Sequence, residues 1–252
     1  MNNVQTLEKM KELRLLGMHK SFENAVETGM VHDFKADELV AHLVEAEHDS
    51  RCDRKTQRLV KNAHFRLIAQ IEEIKYTAER NLNKTQMLTL CEMRWLAQGE
   101  NIVITGLTGT GKTFVACAIG LKACLNGYRV DYYNTNKLFY KLKYAKSCGN
   151  YLKEFEKIIK KDLLILDDFG LELLDKESRL SLFEIIEERT GKKAMIISSQ
   201  IPVENWYDII GDKTIADAIC DRILSNTQFI NLKGDSQRRI KRTKSILSCE
   251  LT

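Results

Sequence analysis

Residues 106–113 read Gly-Leu-Thr-Gly-Thr-Gly-Lys-Thr, and this stretch decides the fold. The apolar run Ile102–Ile104 before it predicts a strand, and the run Phe114–Ile119 after it predicts a buried helix. Glycines let the backbone curl so that successive N–H groups point inward at phosphate oxygens, and the helix N-terminus adds partial positive charge. The full pattern between a strand and a helix favours a phosphate-binding loop over a glycine turn that matches by chance.

Two side chains of this loop have specific expected roles. Lys112 is placed to reach the outer phosphates of a nucleotide, and the Thr113 hydroxyl is placed to bind Mg²⁺. Contacts with the nucleotide are predicted for the whole loop and the residue after it, namely Gly106, Leu107, Thr108, Gly109, Thr110, Gly111, Lys112, Thr113 and Phe114.

A second apolar run, Leu163–Leu166, ends in the adjacent acids Asp167 and Asp168. A strand buried on both faces has no reason to end in two carboxylates unless a cation lies there. In a phosphate-loop enzyme Asp167 would hold Mg²⁺, directly or through water, and Asp168 would polarise the attacking water. The alternative is an N-cap for the next helix, a position that Asp175 suits better.

The run Ala194–Ser198 leads into Ser198-Ser199-Gln200-Ile201-Pro202. A polar side chain at the tip of this strand could contact the γ-phosphate or position water. Gln200 is the longest and best suited, and Ser199 remains a second candidate. An ordinary turn at the end of a strand explains the same residues.

Residues before Ile102 show helical periodicity and no strand pattern. The helical patterns include about 68–76 and 84–97. From Ile102 onward, short apolar runs alternate with helical ones, which predicts a mostly parallel sheet with helices on both faces. We therefore expect a helical domain over 1–98 and an α/β core with a basic tail over 99–252. The five expected strands are Ile102–Thr105, Arg129–Tyr133, Leu163–Leu166, Ala194–Ser198 and Gln228–Leu232.

Composition narrows the class of protein. The 252 residues are 44% hydrophobic and 29% charged, as in soluble globular proteins, and no apolar run reaches the length of a membrane span. Seven scattered cysteines without a C-x-x-C pair argue against a disulfide framework and a zinc site. These features predict a cytoplasmic protein. A net charge of +4 is too small to indicate nucleic-acid binding by itself.

The distribution of positive charge is more informative. Helical spacing aligns five cations on one side of a helix, and we name them the basic stripe: Arg51, Arg54, Lys55, Arg58 and Lys61. Such a stripe suits a DNA phosphate backbone, although exposed helix faces are often charged. A second group, the lysine cluster, consists of Lys141, Lys143 and Lys146, and it is the second candidate for DNA contact. Tyr140 and Tyr144 lie among these lysines and either stack on bases or, as we favour, pack in the core.

The chain resembles the IstB-like ATP-binding proteins, which are helper ATPases encoded beside the transposase in one class of bacterial insertion sequences. They are related to DnaC-type helicase loaders and to DnaA, and all belong to the AAA+ superfamily. The resemblance covers nearly the whole chain. It rests on Leu15-Leu16-Gly17-Met18-His19, Gly106–Thr113, the segment 162–170 with its Asp-Asp-Phe-Gly ending, Ile197–Pro202, Asp221-Arg222-Ile223-Leu224 and Gly234-Asp235-Ser236.

This resemblance implies an AAA+ P-loop core with a five-stranded parallel sheet in the order 5-1-4-3-2, preceded by a helical domain and without a C-terminal lid. It also implies ATP bound between subunits of a homo-oligomer, either a ring or a spiral. Arg222 would then be the arginine finger that reaches the γ-phosphate of a neighbouring subunit. The alternative is that Arg222 pairs with Asp217 or Asp221 on its own helix. Arg238 lies where many relatives carry a second arginine sensor.

The function implied is an ATPase, converting ATP and water to ADP and phosphate, that oligomerises on double-stranded DNA and recruits or activates its transposase. ATP and Mg²⁺ are the expected cofactors, and no membrane partner is expected. A DnaC-type helicase loader is the main alternative. A small-molecule kinase and a nucleotide-gated scaffold without hydrolysis are further alternatives. DNA stimulation of turnover would argue against the kinase, and a turnover assay would test the scaffold.

Overall fold

The computed structural model describes residues 2–237, and packing divides the chain into two compact units. One unit covers Met1–Arg58, and the other begins at Leu59. This division lies well before the boundary between residues 98 and 99 that the sequence pattern predicts. The difference arises because the segment after Leu59 is packed into the core of the second unit, where Ala63, Met87 and Trp95 are buried with the sheet.

The first unit is helical. Its elements are α1 (Asn3–Glu12), α2 (Leu16–Glu27) and α3 (Ala36–Asn62), the last of which continues past the unit boundary. A Cβ atom on Gly17 would lie 2.3 Å from the Ala46 carbonyl oxygen, so only glycine allows α2 to approach α3 this closely. The Leu-Leu-Gly-Met sequence near the start of the chain therefore marks a contact between two helices.

The second unit contains a five-stranded parallel sheet in the order β2-β3-β4-β1-β5. Read from the other edge, this is the order 5-1-4-3-2 that the resemblance implies, so the predicted strand order is confirmed. All five strands lie at the expected positions, within one or two residues at the ends for most of them. Their bounds are β1 (Asn101–Gly106), β2 (Val130–Asn134), β3 (Leu163–Phe169), β4 (Ala194–Ser199) and β5 (Thr227–Leu232).

Helices cover both faces of the sheet. Alternate residues of β1 lie in different cores, with Ile102 and Ile104 in one and Val103 in the other. This alternation follows from the period of two along a strand, and burial on both faces explains the apolar runs within β1, β3 and β4. The helices are α4 (Lys84–Cys91), α5 (Arg94–Ala97), α6 (Lys112–Leu125), α7 (Thr135–Ser147), α8 (Tyr151–Ile159), α9 (Lys176–Arg189), α10 (Trp206–Ile210) and α11 (Lys213–Leu224).

Two of the helical predictions need correction. The pattern over 68–76 forms no α-helix and contains only a 3-10 turn at Ile71–Glu73. A second 3-10 turn follows at Ala78–Arg80. Except for Ile68, which is 62% exposed, the apolar side chains of residues 68–76 are packed in or against the core, which accounts for the pattern without a helix. The pattern over 84–97 is divided into α4 and α5, because Met93 adopts a left-handed backbone with φ 60°.

The last strand among the described residues is β5, and the lid domain expected to be absent is not seen within residues 2–237. Arg238, the expected second arginine sensor, lies outside the described residues. Within residues 2–237, no helix is long and apolar enough to cross a membrane.

Candidate nucleotide site

The phosphate-binding loop connects β1 to α6 and requires its glycines for separate reasons. Gly106, Gly109 and Gly111 all have positive φ angles, 147°, 87° and 101°, which favour glycine. A Cβ atom on Gly106 would lie 2.3 Å from the Leu232 carbonyl oxygen, and one on Gly109 would lie 2.2 Å from Ser236 Oγ. The loop is therefore enclosed by the chain after β5, and its shape excludes larger residues.

Lys112, the first residue of α6, is held inside this loop. Its ammonium donates to the carbonyl oxygens of Gly106 at 2.7 Å and Leu107 at 3.0 Å, and only 6% of the residue is exposed. The N–H groups of the first helical turn have no carbonyl partner within the helix, and they add to the positive potential at this point. A cation and a helix N-terminus thus meet where phosphates are expected.

Asp167 lies at the end of β3 and is fully buried. Its Oδ2 accepts hydrogen bonds from Thr113 Oγ1 at 2.8 Å and from the Tyr132 hydroxyl at 2.6 Å, and its Oδ1 accepts one from Ser198 Oγ. Burial and the bond to Asp167 raise the pKa of the Tyr132 phenol, so this group remains a donor. Thr113 and Asp167, the two predicted Mg²⁺ ligands, are therefore in direct contact.

This arrangement of oxygens fits Mg²⁺. A threonine hydroxyl and a carboxylate are hard oxygen ligands, and Mg²⁺ usually takes one or two carboxylates together with phosphate oxygens and water. Among residues 2–237 no group of three or more His, Cys, Asp or Glu side chains could hold a metal ion. An ion at Thr113 and Asp167 would therefore draw its remaining ligands from a nucleotide and from water.

Asp168 departs from regular strand geometry. Its φ angle is 58°, and the pairing of β3 with β4 shifts register between Leu166 and Phe169. The irregularity breaks the alternation that would send adjacent side chains to opposite faces. Asp168 Oδ2 accepts hydrogen bonds from Arg66 Nη1 and Asn134 Nδ2, each at 3.2 Å. Both acids therefore accept hydrogen bonds from groups near the carboxyl ends of the strands.

Ser199 and Gln200, the two candidates at the end of β4, have different surroundings. Ser199 is buried, donates to the Phe169 carbonyl oxygen at 2.8 Å and accepts from the Ile201 amide at 3.0 Å. Gln200 instead accepts a hydrogen bond from the Thr108 hydroxyl in the phosphate-binding loop. Gln200 therefore contacts the loop, whereas Ser199 stabilises the turn after the strand.

Arg222, on α11, contacts α9 rather than the acids of its own helix. Its Nη2 lies 2.8 Å from Glu187 Oε2, and its guanidinium lies 5.3 Å from the centre of the Phe183 ring. Neither Asp217 nor Asp221 forms an ion pair with it among the described residues. The alternative pairing considered from sequence is therefore wrong, and the finger role stays a prediction.

The basic stripe lies on exposed positions of α3, as expected, but its members differ. Arg51 Nε donates to Glu47 Oε1 at 2.7 Å, and Arg54 Nη2 donates to the same oxygen at 3.3 Å. Within residues 2–237 no ion pair is recorded for Lys55, Arg58 or Lys61. The last three are therefore the stripe residues best placed to contact phosphates.

The lysine cluster is also partly paired. Lys141 lies 2.9 Å from Glu154 Oε2, and Lys143 pairs with Asp175, while the described part of the chain provides no ion pair for Lys146. Tyr140 and Tyr144 are 63% and 73% exposed. Our preference for core packing of these tyrosines is therefore wrong. Asp175 caps α9 by accepting from the Ser178 amide, as predicted.

Several polar residues at the site were not selected from the sequence. Tyr132, Asn134 and Ser198 lie on β2 and β4, which flank β3, so the strand order was a usable signal for them. Arg80 gave no such signal, although its buried Nη2 donates to the Thr110 carbonyl oxygen at 3.0 Å. Arg66, which donates to Asp168 Oδ2, also lay outside the predicted site.

Comparison with known proteins agrees with this geometry. Residues 8–245 match the family described as IstB-like ATP binding protein. An insertion sequence ATP-binding protein from Sinorhizobium fredii is 38% identical over 240 residues, covering 95% of this chain and 98% of its own length. The insertion sequence IS21 ATP-binding protein from Pseudomonas aeruginosa is 25% identical over 253 residues, covering 100% of this chain and 95% of its own.

Solved structures resemble about two thirds or more of this chain in fold. The DnaC helicase loader has a TM-score of 0.58 at 20% identity, covering 66% of this chain and 97% of that one. AMPPCP-bound DnaA from Aquifex aeolicus also has a TM-score of 0.58, at 22% identity, covering 73% of this chain and 56% of its own. At these identities the likeness shows a shared fold and nothing more specific. With the family match over most of its length, the chain belongs to the IstB-like ATP-binding protein family.

Proposed function

We propose that the protein is a Mg²⁺-dependent ATPase that oligomerises on double-stranded DNA and recruits or activates the transposase of its insertion sequence. The observation that carries the ATPase proposal is the contact of 2.8 Å between Thr113 Oγ1 and Asp167 Oδ2 beside a complete phosphate-binding loop. The similarity to insertion sequence ATP-binding proteins supports the transposition role. From this role we infer a cytoplasmic location.

The chain supplies distinct groups for binding and for hydrolysis. Loop amides and Lys112 would bind the phosphates, and Thr113 and Asp167 would hold Mg²⁺. Mg²⁺ would neutralise charge on the phosphate oxygens as the bond to the γ-phosphate breaks. Asp168 would accept a proton from the attacking water, and Gln200, bound to Thr108 of the loop, would orient that water or the γ-phosphate.

A groove next to the loop is a candidate site for the adenine base. It has a volume of about 330 Å³ and is lined by Tyr76, Thr77, Ala78, Asn81, Leu82, Asn83 and Lys84. Apolar and aromatic lining with a few polar groups suits a flat heterocycle. Arg80 connects this segment to the loop through its hydrogen bond to the Thr110 carbonyl oxygen.

The proposed DNA contacts rest on charge. Lys55, Arg58 and Lys61 form the unpaired part of the basic stripe among the described residues, and Lys146 is the corresponding member of the lysine cluster. Phosphate contacts of this kind bind DNA without reading its sequence. A helicase-loader function has less support, because the likeness to DnaC concerns the fold alone.

The proposal is tested by measuring ATP hydrolysis and oligomeric state with and without duplex DNA at fixed salt. We expect Mg²⁺-dependent phosphate release and larger assemblies when ATP and DNA are both present. The Lys112→Ala variant is the control, because it removes the cation that faces the phosphates. Equal phosphate release by this variant and the wild type would refute the ATPase proposal. The same oligomeric state with and without duplex DNA would refute the DNA-dependent role.

A further inference from the structure

Arg66 is a cation in direct contact with the two acids at the end of β3. Its Nη1 lies 3.2 Å from Asp168 Oδ2 and 3.9 Å from Asp167 Oδ2. Asp167 Oδ2 is the same oxygen that accepts the Thr113 hydroxyl at 2.8 Å. The guanidinium therefore approaches the carboxylate oxygen that the proposed Mg²⁺ site requires.

The fold fixes the backbone that carries this side chain. The Ala63 carbonyl oxygen accepts a hydrogen bond from the Tyr132 amide of β2 at 2.9 Å, which attaches the segment to the edge of the sheet. A Cβ atom on Gly120 would lie 2.7 Å from the Phe65 ring, so α6 uses glycine where Phe65 packs. The Arg66 side chain itself is 50% exposed. Its position beside the acids follows from this anchoring, and its exposed half leaves room to change rotamer.

Asp167 Oδ2 already accepts two hydrogen bonds, from Thr113 and Tyr132, and a carboxylate oxygen has about two lone-pair directions. A second cation at this oxygen would also be repelled by the guanidinium. We propose that Arg66 is a positioning residue that neutralises Asp167 and Asp168 and must withdraw from them when Mg²⁺ and nucleotide bind. Arg66 and Mg²⁺ thus compete for the same carboxylates. This inference rests on the proposed Mg²⁺-dependent nucleotide site.

The competition predicts a change in the Mg²⁺ requirement for binding, which is independent of hydrolysis. Binding of a fluorescent ADP is titrated with Mg²⁺ in wild type, Arg66→Ala, Arg66→Gln and Arg66→Lys. We expect the Mg²⁺ concentration at half-maximal binding to fall about twofold to fivefold in the Ala and Gln variants, the range for a half-exposed ion pair. Arg66→Lys keeps the charge and should stay near the wild type.

Arg129→Ala is a matched control. Arg129 Nη2 pairs with Asp162 Oδ1 at 2.8 Å and is 56% exposed, but this pair precedes β2 and β3 rather than following them. The variant loses the same charge and should leave the Mg²⁺ requirement unchanged. An equal fall in this control would show a general charge effect and overturn the inference.

Other outcomes are equally decisive. If the wild type binds nucleotide but Arg66→Ala and Arg66→Gln need as much Mg²⁺ or more, the inference is overturned and the proposed function still stands. The inference is also overturned if Arg66→Ala and Arg66→Gln, at saturating Mg²⁺, lose affinity for a non-hydrolysable ATP analogue but not for ADP. Arg66 would then be a ligand of the γ-phosphate. Wild-type protein that binds no nucleotide at any Mg²⁺ concentration would overturn the proposed function, and this inference with it.

Discussion

Asp167 is a buried carboxylate whose hydrogen-bond donors come from several elements of the fold. Three hydroxyl groups, from Thr113, Tyr132 and Ser198, donate to its two oxygens, and the Thr135 hydroxyl donates to its carbonyl oxygen at 2.9 Å. A buried charge is costly unless it is paired and hydrogen-bonded. Here the hydrogen bonds come from the loop, from both neighbouring strands and from the start of α7. The carboxylate is therefore held in one orientation by every element around it.

Asp168 has a different environment and a separable role. Replacing Asp168 by Asn keeps the side-chain volume and leaves Asp167 in place, but removes the carboxylate that would polarise water. We expect nucleotide binding within about twofold of wild type and a loss of turnover of at least about 100-fold, the lower range for a general base. Equilibrium binding of a fluorescent ATP analogue and single-turnover phosphate release measure the two effects separately.

Asp175→Asn is the matched control for this substitution. Asp175 is seven positions after Asp168 and is the N-cap of α9, a position for which Asn is equally suitable. This control should retain turnover. If Asp168→Asn abolished binding instead of turnover, Asp168 would be a structural or metal-binding residue rather than the base.

Helix α3 combines a structural role with the candidate DNA-binding role. Glu47 is buried and accepts the Gly17 and Met18 amides at 2.7 and 3.3 Å, together with the guanidinium groups of Arg51 and Arg54. Burial opposes the charge of Glu47, but the Arg51 guanidinium and the amides of Gly17 and Met18 outweigh it and hold the pKa below its usual value of 4.5. Part of the basic stripe thus serves to neutralise a carboxylate in the contact between α2 and α3.

The lowered pKa makes the first unit sensitive to acid. Because the folded pKa lies below the unfolded one, Glu47 stabilises the unit above about pH 4.5, and this contribution is lost as the pH falls through the folded value. Glu47→Gln should destabilise α2 by about 1–3 kcal/mol near neutral pH and reduce the loss on acidification. Hydrogen exchange of peptides from residues 16–27, measured in the intact protein, tests both statements.

Glu45→Gln, at an exposed position on the same helix, is the control and should leave exchange of α2 unchanged. Equal protection of α2 in Glu47→Gln and wild type at both pH values would show that the buried carboxylate does not stabilise the contact.

Lys55 and Arg58 provide a better test of DNA binding than Arg54, because replacing Arg54 would also remove a partner of Glu47. Replacing Lys55 and Arg58 by Ala should weaken binding to all duplexes alike and flatten the salt dependence by about two phosphate contacts, at ~0.9 log units each. Fluorescence anisotropy with labelled duplexes at several salt concentrations measures the slope. Nucleotide binding should be unchanged.

A double variant with the same loss of charge, Lys9→Ala and Lys11→Ala on α1, is the control and should keep the wild-type slope. An unchanged affinity and slope in the α3 variant would identify the stripe as a solvated surface. Lys146 and its neighbours in the lysine cluster would then be the next candidates.

The hydrolysis proposed for the assembled protein depends on Arg222. Within one chain its guanidinium is bound to Glu187 and lies over Phe183, so α9 and α11 hold it in a defined position. A planar guanidinium suits the distributed charge of a phosphoryl-transfer transition state. If it acts on a neighbouring subunit, the finger and the nucleotide site of each active centre belong to different chains.

Mixing two inactive variants tests this arrangement. Arg222→Ala should bind ATP like the wild type as an isolated subunit but hydrolyse it far more slowly in the assembly, since arginine fingers contribute on the order of 10³ or more to turnover. Mixed with Lys112→Ala, it should recover part of the activity, because one chain supplies the site and the other the finger. Phosphate release across mixing ratios measures the recovery.

The control is Glu187→Gln, which removes the partner of Arg222 but keeps the arginine. It should retain most of the activity in the assembly. Mixed oligomers that form, as shown by differential labelling, yet recover no activity at any ratio would exclude action between subunits.

Local sequence patterns were sufficient for the main features of the core. The glycines of the loop, the apolar runs of the strands and the two acids near the end of β3 each depend on residues close together in the chain, where periodicity and turn chemistry are directly visible. The family resemblance added the strand order. Helical periodicity was misleading over 68–76, because apolar side chains packed on a core can repeat without forming a helix.

Tertiary structure alone decided several of the contacts between polar groups. Arg66 and Asp168 are 102 positions apart, and Thr108 and Gln200 are 92 apart, so no local pattern links them. The left-handed backbone of Asp168 likewise depends on how β3 pairs with β4. By itself the sequence determined the nucleotide-binding loop, the strands and the two acids, because these are properties of neighbouring residues. The partners of each charge were determined by the fold, because packing brings distant segments within hydrogen-bonding distance.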